Sequence, residues 1–374
     1  MNTRTFARHL AVASAVSLVA GLLVGTPAQA ATEVEDIATG LNSPRQLAFS
    51  PGGSLYVAEA GARGDSTNCA AHPNPMLGTF CLERNGSLAR VGSHGNVKRV
   101  VRGLPSISSE GETLGPFDIV FTGRHKFAMT IGLGSDPAFR SEFGPGGRLL
   151  GTIVTGDLRR HRGPAVRKAF DAVAFEASQN PDETDVDSNP TGIIRARHGF
   201  VYTDAGGNAL ISTRRGGRTL ATFDPVPTTR PGPVPVGFPA DAVPTDVVVG
   251  PDGARYVSQL VGFPFEQGAS TIWRVPRGGD PEPYATGLTN VTSLAFAKDG
   301  TLYAVEIAAN GLLSAPPGTL PVGALVKVQP DASVHPVVAG GLPAPYGLAI
   351  RRGSAYVTTD TFTPGGGKVV KIHL

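Results

Sequence analysis

The sequence predicts an all-β fold, a six-bladed β-propeller of four-stranded antiparallel blades, and three observations predict it. A short motif recurs six times, each copy is followed by the same succession of apolar strands, and the two ends of the chain carry complementary parts of one unit.

The motif is a residue pair ending in a small or polar side chain, followed by three mostly apolar residues. Its copies are Pro44-Arg-Gln-Leu-Ala-Phe49, Pro116-Phe-Asp-Ile-Val-Phe121, Pro190-Thr-Gly-Ile-Ile-Arg195, Pro244-Thr-Asp-Val-Val-Val249, Val291-Thr-Ser-Leu-Ala-Phe296 and Pro345-Tyr-Gly-Leu-Ala-Ile350. After a short turn each leads into a second apolar strand containing Tyr56, Phe127, Val201, Tyr256, Tyr303 or Tyr356, at steps of 71, 74, 55, 47 and 53 residues. A third strand follows, seen at Ser87–Val91, Ala209–Thr213, Thr271–Val275, Ala324–Val328 and Lys368–Ile372, with apolar and polar residues alternating in several copies as in a half-buried strand. A fourth runs into Gly-Leu, as at Val97–Leu104, Pro283–Leu288 and Val334–Leu342. Such a unit cannot bury both its faces alone, so the repeats must stack around an axis.

The sixth unit stops after its third strand, whereas the N-terminal side offers an orphan, Val34–Leu41, ending in the same Gly-Leu. The orphan is expected to complete the last blade and so remove the exposed edges of an open array.

The first 30 residues have the form of a signal peptide: Arg4 and Arg8, an uncharged apolar stretch from Leu10 to Gly25, then Ala28-Gln-Ala30 as a small-x-small cleavage pattern. The mature chain is expected to be a secreted propeller of residues 31–374, acting as a monomer, with no membrane span because no later apolar run is long enough. Gly 49 and Pro 32 recur at set places between strands, as punctuation. The net charge of +3 is spread along the chain, and the densest basic stretch, Arg159–Lys168, holds no aromatic for base stacking, so nucleic acid is not expected as a partner. Cys69 and Cys81, the two cysteines present, are expected to form a disulfide in an oxidising compartment.

In an antiparallel blade the start of the first strand lies beside the end of the second, so these positions from all blades converge on one channel mouth. The long connections, Ala60–Gly86, Ile131–Arg148, Leu260–Ser270, Ile307–Gly323, Glu176–Asn189 and Pro225–Val243, open on that same face, which is therefore the expected binding face. Its candidates are Gln46, Asp118, Asp246 and Ser293 at first-strand starts, and Glu59, Thr130, Asp204, Gln259 and Glu306 at second-strand ends. Five carboxylates packed there must be relieved by a cation, by a positive ligand or by raised pKa values, unless they bond neighbouring amides and water. Asp185-Val-Asp187-Ser-Asn189 has calcium-loop spacing but lacks the Gly and distal Glu of an EF-hand, and an Asx turn accounts for it. The chain contains no Gly-x-Ser-x-Gly, His-Glu-x-x-His or Gly-x-Gly-x-x-Gly, and no catalytic residue is assigned.

At Asp187-Ser-Asn-Pro-Thr-Gly192, Asp204-Ala-Gly-Gly-Asn208 and Gln259-Leu-Val-Gly-Phe-Pro-Phe265, the chain resembles the ScyD/ScyE family of secreted propeller proteins. Ile131-Gly-Leu-Gly-Ser-Asp-Pro137 and Ala174-Phe-Glu-Ala-Ser-Gln-Asn180 extend the likeness over nearly the whole mature chain. The resemblance implies the fold and export, not an activity. More distantly the chain is similar to NHL-repeat propellers and to the gluconolactonase and strictosidine-synthase-like group, in which a divalent metal in the mouth can polarise a lactone or ester. By type and expected place, Glu59, Asn189 and Asp204 are the nearest counterparts of that metal's ligands. Two functions follow as expectations: binding of a small molecule or extracellular protein, with Glu59, Asp118, Asn189, Asp204, Asp246, Gln259 and Glu306 at the mouth, or Ca²⁺-assisted lactone or ester hydrolysis.

Overall fold

The structure, a computed structural model, describes residues 32–159 and 165–374; the expected signal peptide lies outside the described residues. Six antiparallel sheets stand in a ring, their innermost strands each contacting the next: Pro44–Phe49, Pro116–Phe121, Pro190–Arg195, Pro244–Val249, Val291–Phe296 and Leu348–Arg351. They head blades I to VI. The last inner strand begins at Leu348 rather than Pro345, although the Tyr346 amide still donates to Thr358 O at 2.9 Å.

Blade VI closes as the strand count requires. Val34–Asn42 pairs antiparallel with Pro364–His373, with Val34 opposite Ile372 and Leu41 opposite Gly367. Ala38 and Leu41 on this strand pack with Leu47, Leu55 and Val57 of blade I, so the closing strand seals the seam as well as the sheet edge. Lys368 to Asp36 and Lys371 to Glu35 add exposed ion pairs along it.

A bulge follows the first residue of the inner strand in blades I to V, visible as register shifts at Pro44/Leu47, Pro116/Ile119, Pro190/Ile193, Pro244/Asp246 and Val291/Ser293. The bulge frees a backbone N–H, and a second-strand hydroxyl accepts it: Thr130 from Asp118, Thr203 from Gly192 and Ser258 from Asp246, at 2.8–3.1 Å, while in blade VI Thr358 accepts likewise from Gly347 at 2.7 Å. Threonine hydroxyls also join successive blades. Thr130 donates to Thr191 O, Thr191 to Pro244 O, Thr245 to Val291 O, Thr292 to Tyr346 O and Thr358 to Arg45 O. The inner strands approach so closely that a Cβ on Gly192 would lie 2.6 Å from Asp246 Cα, and one on Gly347 2.8 Å from Gln46 Cα, which explains glycine at the third motif position there.

Two departures from the sequence reading concern connections. The Ala60–Gly86 loop is partly sheet: Cys69–Ala71 pairs with Thr79–Val91, and Phe80 and Leu82 are buried on alternate positions. Helices also form where only loops were expected, Pro137–Glu142 capped by Asp136 and Ala172–Gln179 capped by Asp171, whose side chain accepts from Ala174 N at 3.2 Å. Cys69 and Cys81 are disulfide-bonded within the first of these connections.

Candidate functional site

The residues at the second motif position converge on the axis, and in three blades they are large: Arg45, Phe117 and Tyr346. The Arg45 guanidinium is 2% exposed and lies 5.4 Å from the centroid of Phe117, 5.1 Å from Tyr346 and 6.0 Å from Phe362. It donates to Thr113 O at 2.8 Å and Thr361 O at 3.2 Å. Burial pulls its pKa below the ordinary value. Cation and rings together fill the mouth of the channel.

One layer below are the third-position side chains. Asp118 accepts from its own Ile119 N at 2.6 Å and from Ile193 N of the next blade at 2.7 Å. Asp246 repeats this with Val247 N at 2.7 Å and Leu294 N at 2.8 Å, and also accepts from Ser293 Oγ at 3.1 Å. Gln46 accepts from Ser293 Oγ and donates to Thr292 O. Burial, and for Asp118 also the charge of Asp246, raise both carboxyl pKa values, Asp246 to about 6. These carboxylates bind inner strands together.

The last residue of the second strand plays a second repeated part, bracing the chain that enters the inner strand of its own blade. Glu59 accepts from Asn42 N, Asp204 from Asn189 N and Glu306 from Thr289 N, at 2.6–2.8 Å. Glu59 further accepts from Ser87 Oγ and, through both oxygens, from Arg99 at 2.7 and 2.8 Å. Its lone pairs are therefore saturated, which does not suit a metal ligand. Asn189 and Asp204 touch each other in blade III but share no partner with Glu59 in blade I, and Asn189 Oδ1 accepts from Leu133 N. Gln259 is buried with neither polar side-chain atom partnered. Among the described residues no three His, Cys, Asp or Glu side chains form a ready metal-ligand group.

Carboxylate repulsion is met in two ways: Arg99 pairs with Glu59, and the pKa values of the others are raised. Glu306 rises to about 7 and Asp204 to about 6, both through burial. Two further raised carboxyl groups were not among the expected channel-mouth residues. Glu176, on the Ala172–Gln179 helix, is fully buried with both oxygens unpartnered; burial, then Asp204 and Asp182, raise it to about 8. Asp187 rises to about 7 by burial and the charge of Asp204. Asp187 Oδ1 and Asn180 Oδ1 are likewise unpartnered, so this rim of blade III carries acceptors without donors. The notice-worthy sequence signal for Asp187 was the Asp-Val-Asp spacing; Glu176 offered none, and Arg45 only its departure from the Phe, Thr and Tyr of other copies.

The long connections around the filled mouth expose several large apolar side chains. Met76, Leu77, Val236, Phe238, Phe263 and Leu313 are exposed, each on one of the long connections of this face. No helix among the described residues is long and apolar enough to cross a membrane.

The chain matches no family profile and no curated protein. Among solved structures it is similar to a gluconolactonase from Xanthomonas campestris (10% identity, 92% of this chain and 89% of that one, TM-score 0.52) and to a glucose dehydrogenase (14% identity, 91% and 99%, TM-score 0.51). Virginiamycin B lyase from Staphylococcus aureus follows at 11% identity, 91% and 99% coverage and TM-score 0.46. At such identities the likeness establishes the β-propeller fold alone.

Proposed function

We propose that this chain is a secreted binding propeller of the ScyD/ScyE type whose loop-bearing face takes an extracellular protein partner. The observation that carries this is the pairing of a filled mouth with exposed apolar side chains on the connections around it. Arg45, Phe117, Tyr346 and Phe362 pack together at the loop-bearing end of the inner strands and leave little room for a small substrate there, while Met76, Phe238 and Leu313 stand exposed on three separate loops of that face. Apolar side chains clustered on one face mark a protein-interaction surface.

One observation favours a second reading, Ca²⁺-assisted lactone or ester hydrolysis: the unpartnered acceptor oxygens of Glu176, Asn180 and Asp187, beside Asp204, suit a hard cation. That ion would have to be held without Glu59. The two readings separate in one experiment. Purified protein is assayed against a panel of lactones and short-chain esters with Ca²⁺ and with chelator. The binding reading expects no turnover in either condition; Ca²⁺-dependent hydrolysis abolished by Glu176→Gln overturns it.

A further inference from the structure

We infer that the face opposite the loops carries a second binding site, an arginine-lined cleft between blades III and IV that takes an acidic polysaccharide. The cleft has a volume of about 850 Å³ and is built from tight turns of two neighbouring blades. Arg195 and Arg197 flank the first-to-second turn of blade III, and Arg214, Arg215 and Arg218 its third-to-fourth turn; Arg255 and Arg277 come from the matching places in blade IV. His198 joins them, and Asp280 is the one carboxylate in the lining.

Seven arginines against one carboxylate leave the lining of the cleft with a net positive charge. The protein does not balance it internally: among the described residues none of the seven takes part in a salt bridge. Asp252 and Glu282, acidic groups close by on blade IV, are both engaged by Arg274. Arg195 reaches only Thr122 O, at 3.5 Å. Burial and then the charge of Arg277 lower the Arg255 pKa, in keeping with cations held near one another. The turns themselves leave room for a ligand. A Cβ on Gly216, Gly253 or Gly278 would meet nothing within 4 Å, and Arg215 sits in the left-handed region at φ 56° between Arg214 and Gly216.

The chemistry of the lining selects the ligand. Arginine pairs bidentately with carboxylate, sulfate and phosphate oxygens, and cations spread over two blades call for a repeated anion rather than a single one. The lining contains no Phe, Tyr or Trp, and a lone His198 is a poor platform for a run of stacked nucleic-acid bases. It does have apolar ground between the arginines, Leu220, Val249 and Pro276, against which the C–H faces of sugar rings can lie. An acidic glycan satisfies all three conditions.

The test uses the whole protein and three probes: heparin for sulfate groups, polygalacturonate for carboxylates and a single-stranded oligothymidylate as the base-bearing polyanion. The wild type should bind at least one glycan with an affinity that falls as salt rises. The triple variant Arg214→Ser/Arg215→Ser/Arg277→Ser should bind it at least tenfold more weakly with a shallower salt dependence. All three arginines are exposed, so its melting temperature should match the wild type. Met76→Ser/Phe238→Ser, on the other face, should bind the glycan like wild type. Equal glycan binding by the wild type and the triple variant, no binding to either glycan, or tighter binding to oligothymidylate overturns the proposal.

Discussion

Arg45 and Tyr346 belong to the first and last inner strands, and the Arg45 guanidinium lies 5.1 Å from the Tyr346 ring centroid, across the seam where the ring closes. The same arginine spans the seam by hydrogen bonds to Thr113 and Thr361. Arg45→Met keeps an unbranched apolar stem but leaves both buried carbonyls without a donor. We predict a loss of about 2–4 kcal/mol by denaturant unfolding. Unchanged stability would mean that the plug is only space-filling.

The Glu59–Arg99 pair gives a sharper contrast. Removing the cation leaves a saturated, buried carboxylate uncompensated, so Arg99→Met should cost about 3–5 kcal/mol at pH 7. Glu59→Gln/Arg99→Met should recover much of that. A double variant no more stable than Arg99→Met contradicts the assignment of the cost to charge.

Carboxyl groups with raised folded-state pKa values make stability depend on pH in a definite direction. Glu176 at about 8, Asp187 and Glu306 at about 7 and Asp204 at about 6 hold protons in the native state that the unfolded chain releases near pH 4. Between those limits the native state binds more protons, so stability falls as pH rises and levels off above about pH 8. Melting temperature should thus be higher at pH 5 than at pH 8.5. Glu176→Gln should shrink the difference and stabilise the protein at pH 8.5, by on the order of 2 kcal/mol. A pH profile identical in variant and wild type removes Glu176 from this account.

Deleting residues 31–41 should do far more than trim a terminus, because it strips a strand from Pro364–His373 and uncovers Leu47, Leu55 and Val57 at the seam. Aggregation or a loss of several kcal/mol is expected. Removing only residues 31 and 32 should be neutral by differential scanning calorimetry.

The ring was legible because the blades repeat the same demands: an inner strand that packs on both neighbours, in five of them a bulge after its first residue, and a tight turn. Hence Asp118, Asp246, Asp204 and Glu306 could be placed from spacing alone. What repeats could not reveal was pairing particular to one blade. Arg99 is 40 residues from Glu59 and has no counterpart in other copies, and Arg45 departs from the motif in the first copy only. The arginine cleft was invisible for the converse reason, since its cations lie singly or in pairs in turns that meet only when blades III and IV stand side by side.

The central claim is that the loop-bearing face is where a protein partner docks, and site-specific photo-crosslinking in the source cells tests it most directly. A photoreactive residue is placed at Met76, Phe238 or Leu313 on that face, and at Val34 or Leu374 elsewhere as exposed controls. The account predicts one discrete higher-mass adduct shared by the three loop positions and absent from both controls. Adducts at the controls alone, or none at the loop positions, would contradict it.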